Sequence, residues 1–242
     1  MEYKNLLSGG VTLLILFSFR GLYPGNTIVE NKAPKVSIIK PIANSTLPGN
    51  SLVPYTVLVD DPEDGSSEYD EIAVNQVLLL VNYFSNPEDA DKFLNQGKNK
   101  MPQPLLQMSK STCLLCHASK AKLIGPSFDL IAERYNNDPA VIETLAKKVI
   151  SGSTGTWGEL VMPTHPDMET EKVKEMVRWI LENGSNANQS FYIGTEGAFR
   201  TDIKPGGEAG TYALTASYVD NGVSDVANTN KQGEQTLLFN TD

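Results

Sequence analysis

Both cysteines of this 242-residue chain, and one of its two histidines, fall in a single run, Cys113-Leu114-Leu115-Cys116-His117. Residues three apart on a helical turn share a face, so the two thiols point the same way and an imidazole follows at once. The C-x-x-C-H spacing is the attachment signature of c-type haem. Both thiols can reach the vinyl groups of one porphyrin to form thioethers, and neutral imidazole is a good iron ligand when its other ring nitrogen is held by a carbonyl or carboxylate. Two other chemistries use the same residue types. A thioredoxin-type dithiol follows a strand in a βαβ unit, and neither surrounds this pair. A zinc site requires a fourth ligand, which His165 could supply only at an unusual spacing.

Charge divides the chain. The net charge of −9 argues against nucleic acid as a partner, because phosphate contacts need a basic surface. Residues 101–184 are almost balanced at −1, whereas residues 1–100 and 185–242 carry −4 each. The N-terminus has Lys4 ahead of an apolar run from Val11 to Phe17, too short to span a bilayer comfortably. That layout fits a secretory signal or an uncleaved N-terminal anchor, with residues 1–32 as signal or anchor plus linker. Export also suits cysteines consumed in covalent bonds.

The periodicity changes twice. In residues 33–84, Val53, Tyr55, Val57 and Val59 alternate with Pro54, Thr56 and Leu58 as in a half-buried strand. Residues 75–84 form a second apolar run, with Val77, Leu79, Val81 and Tyr83 on one face. Residues 85–103 are polar and proline-punctuated, which reads as a linker. Between 104 and 184 the period becomes helical. One helix starts at Asp138-Pro139 and stops at Gly152, a second is capped by Thr170 and ends at Gly184, and a shorter one is expected from Ser127 to Tyr135. Strand patterning returns in 190–242, where Tyr212, Leu214, Ala216 and Tyr218 alternate with Thr211, Ala213, Thr215 and Ser217. Each β portion offers two or three strands, too few to be stable alone, so the economical arrangement is one antiparallel sandwich split by the helical unit.

Two resemblances accompany these patterns. The stretches PKVSIIKPIANSTLPGNSLVPYTVLVDDPEDG and AGTYALTASYVDNG resemble the two halves of an immunoglobulin-like, PKD-type β-sandwich. CLLCHASKAKLIGPSFDLIAERY, VISGSTGTWGELVMPTHP and VKEMVRWILEN together resemble the small bacterial class I cytochromes c, from about Leu105 to Glu182. The implied fold class is an all-α class I cytochrome c domain flanked by, and inserted in, an antiparallel immunoglobulin-like β-sandwich. The second resemblance implies one covalent haem c on Cys113 and Cys116, with His117 and Met162 as the iron ligands. It also implies the Pro126 carbonyl as acceptor for the His117 N–H, Trp157 at a haem propionate, and Trp179 packing the last helix. Among the six methionines, Met162 stands in a Gly- and Pro-rich loop 45 residues after His117, with His165 the alternative ligand.

A haem closed by His and Met leaves no site for substrate, so the expectation is no enzyme but an outer-sphere electron carrier, periplasmic or at the cell surface. Its partners would be redox proteins, an exported dehydrogenase or a terminal oxidase or reductase, and membrane contact would come only through an N-terminal anchor. A five-coordinate haem peroxidase or ligand sensor is the alternative, and a carbohydrate-binding or adhesion module a further one. The acidic run Asp60, Asp61, Glu63 and Asp64, with Asp220, has oxygen ligands suited to calcium but lacks EF-hand spacing. A solvated turn is the simpler role. Lys120, Lys122, Lys147 and Lys148 could steer an acidic partner.

Overall fold

The computed structural model describes residues 30–201, 209–223 and 229–242, of which Asn31–Asp242 form one compact unit. The expected signal or anchor falls almost wholly on residues 1–29, outside the described residues. Among the described residues of that unit, nine strands and six α-helices follow one another in three blocks. First come β1 (Lys35–Lys40), β2 (Thr46–Leu47), β3 (Leu52–Asp61), β4 (Gly65–Ser66) and β5 (Leu78–Phe84). The helices are α1 (Pro87–Asn95), α2 (Gln103–Lys110), α3 (Cys113–Cys116), α4 (Phe128–Arg134), α5 (Pro139–Ser151) and α6 (Thr170–Asn183). The last block is β6 (Gln189–Ile193), β7 (Glu196–Arg200), β8 (Thr211–Val219) and β9 (Gln232–Thr241).

The strands make two sheets, and each draws on both blocks. In the first, β3 pairs antiparallel with β1, β4 and β7; the second runs β2-β9-β8-β5-β6, antiparallel except where β2 meets β9. The alternation of β3 is borne on the backbone, with Val53, Tyr55, Val57 and Val59 facing the core shared by the sheets. Opposite them lie Val77, Leu79, Val81 and Tyr83 from β5 and its lead-in, and Tyr212, Leu214, Ala216 and Tyr218 from β8.

Strand β5 is apolar on both faces for a reason that alternation alone does not reveal. Leu79 and Val81 enter the core between the sheets, whereas Leu78 and Leu80, at 0% and 2% exposure, enter a second core with Leu105, Leu106, Phe128 and Phe191. The helices cover the outer face of the second sheet there. A strand covered on both faces reads as a continuous apolar run, and full burial of each leucine contributes about 1.5–3 kcal/mol.

The helical block leaves the sheet after Phe84 and returns at Gln189, and these flanks are hydrogen-bonded neighbours: Asn82 pairs with Gln189, and the Tyr83 N–H donates to the Asn188 carbonyl at 2.9 Å. Two local expectations are corrected. The segment 85–103 is not simply a linker, because Asn86 caps α1 by accepting from the Glu88 N–H, and Phe93 packs on Phe84 at 5.2 Å. Glu169, not Thr170, is the residue preceding α6, and it makes no side-chain cap bond. Helix α5 follows its signals, with Asp138 accepting from the Ala140 N–H, Pro139 in the first turn, and Gly152 beyond the end at φ +75°.

Candidate haem site

The Cys-Leu-Leu-Cys turn is a single helical turn entered through Thr112 in the left-handed region (φ 62°, ψ 4°). Leu114 is anchored at 2% exposure, which turns both half-buried cysteines towards the cleft beside it. At His117 the backbone becomes extended (φ −122°, ψ 120°), so its ring swings away from the turn although its N–H still donates to the Cys113 carbonyl at 3.0 Å. The ring meets the next loop. Its Nδ1 lies 2.6 Å from the Pro126 carbonyl oxygen, and since a carbonyl only accepts, Nδ1 carries the proton and Nε2 keeps its lone pair.

Gly125 makes this approach possible. A Cβ there would stand 2.8 Å from His117 Nδ1 and 2.9 Å from Nε2, and closer still to Cε1. Behind the ring, Phe128 lies 6.1 Å away, nearly fully buried at the start of α4. Burial pushes the His117 pKa below its ordinary value, opposed by the bond to Pro126, so the imidazole is held neutral. Burial also raises the Cys113 thiol. Neutral imidazole is the form that binds a metal.

The facing loop follows α5. Ser153 and Met162 form an antiparallel bridge, each N–H donating to the other's carbonyl, at 3.2 Å and 2.8 Å. The chain between them turns through Gly155 and Gly158, both at positive φ. Trp157 is stacked under the Arg134 guanidinium at 4.5 Å, and Arg134 Nη1 donates to the Thr156 carbonyl at 3.1 Å. All six residues expected at the site, Cys113, Cys116, His117, Pro126, Trp157 and Met162, line this one cleft, whose remaining walls are mainly apolar side chains from α4, α5 and α6. Two thiols without a disulfide, a neutral imidazole with a free Nε2, a thioether and apolar walls are a donor set that fits a covalently held haem. His165 is not among the lining residues.

Several functional contributions escaped the sequence reading. Gly125 gave a signal only as half of a Gly-Pro pair, and Arg134 only as a cation at a helix end. Lys120 is not simply a steering charge, because its Nζ donates to the Gly184 and Asn186 carbonyls at 2.8 Å and 2.9 Å, capping the end of α6. The acidic turn closes largely on itself and on β8. Asp61 Oδ1 accepts from the Glu63 and Asp64 N–H groups, and Asp64 Oδ2 accepts from Tyr218 and Asn221. Among the described residues no group of three or more His, Cys, Asp or Glu is arranged to hold a metal ion.

The chain is 35% identical to cytochrome c-551 of Allochromatium vinosum over 77 residues, 32% of this chain and 82% of that protein. It is 39% identical to cytochrome c-551 of Azotobacter vinelandii over 69 residues, 28% of this chain and 83% of that one. The crystal structure of Nitrosomonas europaea cytochrome c552 aligns with 31% of this chain and 91% of its own at 32% identity and a TM-score of 0.30. No family model matches. Through about a third of its length, this chain belongs to the bacterial cytochrome c-551/c-552 family and carries a class I cytochrome c domain.

Proposed function

We propose that this c-type cytochrome carries one haem c per chain, bound through Cys113 and Cys116, with His117 and Met162 on the iron, and that it is an exported outer-sphere electron carrier. The observation that carries this reading is the Nδ1 contact of His117 with the Pro126 carbonyl, which leaves Nε2 as the free lone pair in a cleft that Met162 also lines. The bound haem would supply the redox chemistry. The chain fixes the imidazole in one tautomer, holds Met162 on a bridged loop, and surrounds the group with apolar walls that exclude water. A thioether ligand in place of a second imidazole would favour the ferrous state, giving a comparatively high potential. Arg134, stacked on Trp157, offers a cation for a carboxylate at the cleft edge.

The β portion reads as an immunoglobulin-like sandwich that presents the haem domain, and the donor and acceptor as redox proteins met outside the cytoplasm. Export rests on the N-terminal sequence and on the thioether chemistry; among the described residues no helix is long and apolar enough to cross a membrane. The deciding measurement is the absorption spectrum of protein made with a haem-attachment system. Colour that resists acid–acetone extraction in the wild type, and becomes extractable in Cys113→Ser/Cys116→Ser, is the expected result. Met162→Ala should abolish the near-red thioether-to-ferric band. Extractable wild-type pigment would exclude covalent attachment, and a band unchanged in Met162→Ala would exclude Met162 as ligand.

A further inference from the structure

Phe191 belongs to an edge strand of the sheet, yet its ring lies among residues of the haem domain. It pairs in register with Leu80 of β5 and is 5% exposed. Its ring centroid is 5.2 Å from Phe128 and 6.4 Å from Trp179. Phe128 in turn stands 6.1 Å from the His117 ring and 6.5 Å from Trp179. Two rings, Phe191 and Phe128, thus lead from the sheet to the imidazole, with Trp179 packed beside both.

The backbone doubles this linkage. Phe128 lies two residues after Pro126, whose carbonyl fixes His117, and its own N–H donates to the Ala118 carbonyl at 3.0 Å, one residue beyond His117. A displaced Phe128 therefore moves the imidazole's acceptor as well as the surface behind it. We infer that Phe191, on β6 of the sheet, is a positioning residue for His117, so that the sheet forms the outer wall of the proximal side and sets the reduction potential. The physical route is outer-shell control: the orientation and basicity of a ligating imidazole follow from the partner that holds its second nitrogen, and solvent access sets the local dielectric. A void at Phe191 loosens Phe128, admits water behind His117 and favours the more highly charged ferric state, so the potential falls.

The inference rests on His117 being a haem ligand. The test compares the midpoint potentials of full-length holoprotein carrying Phe191→Ala, Phe191→Leu or Leu79→Ala. Leu79 sits on the same sheet but faces the core between the sheets, so its truncation reports loss of stability without disturbing the aromatic contact. At a fixed applied potential, Phe191→Ala should raise the ferric-to-ferrous ratio several-fold, Phe191→Leu by less, and Leu79→Ala hardly at all. A wild-type potential in Phe191→Ala, or in Phe191→Leu if the alanine variant does not fold, overturns the inference, as does an equal shift in Leu79→Ala. A wild type whose haem spectrum is indifferent to His117→Ala overturns the functional reading itself, which separates the two failures.

Discussion

Replacing Gly125 by alanine should displace the imidazole without touching any ligand atom. The added methyl would lie 2.8 Å from His117 Nδ1, 2.9 Å from Nε2 and closest of all to Cε1, where ordinary contact begins at 3.4 Å, so the ring must retreat by about 1 Å. It has little room, because Nδ1 is already 2.6 Å from the Pro126 oxygen and Phe128 stands behind. Overpacking of this kind costs about 1–3 kcal/mol, and loss of a hydrogen bond with its acceptor left buried costs about 1–3 kcal/mol. Since relief of the clash partly breaks the bond, the two overlap, and about 2–4 kcal/mol is expected. Chemical denaturation of the holoprotein followed at the haem band measures it, and the same sample should show a lowered potential. A Gly125→Ala protein within about 0.5 kcal/mol of wild type, the range of an inert surface change, with an unaltered potential would refute the tight His117–Gly125 contact.

Truncating Leu80 to alanine should cost about 2–5 kcal/mol, with sheet circular dichroism and haem absorbance lost in one coincident transition, because Leu80 lies in the core shared by sheet and helices. Burial, then the neighbouring Tyr192, pushes the Tyr55 hydroxyl up to about 12. A proton held more tightly when folded contributes stability that is complete below about pH 10 and lost as pH rises through about 12, so Tyr55→Phe should flatten the decline of melting temperature over that window. Lys120→Ala should weaken the end of α6 by about 1 kcal/mol, visible as faster amide exchange near Gly184 and unchanged electron transfer to an acidic partner protein.

What was legible in the sequence was whatever a local rule could carry. Cys113, Cys116 and His117 announce their chemistry by spacing, α5 by Asp138, Pro139 and Gly152, and β3 by strict alternation. What escaped depends on neighbours distant along the chain. Leu78 and Leu80 look like surplus apolar residues on a strand until the helices are seen covering them, and α1 hides in a polar stretch because only one narrow face, marked by Ala90 and Phe93, meets the sheet. Phe191 is one aromatic among many in the sequence, and its place behind Phe128 arises only when β6 pairs with β5.

The pairing of Asn82 with Gln189 sets an order of events as the protein is made. Strand β5 must wait for over a hundred residues before β6 arrives to pair with it, and longer for β8 and β9. Throughout that delay its leucines have no sheet partner, and the Cys-Leu-Leu-Cys turn has emerged while the surface that will close over its neighbours does not yet exist. Chain order thus opens an interval in which the helices that carry both sulfurs precede the completed sheet face on which they pack.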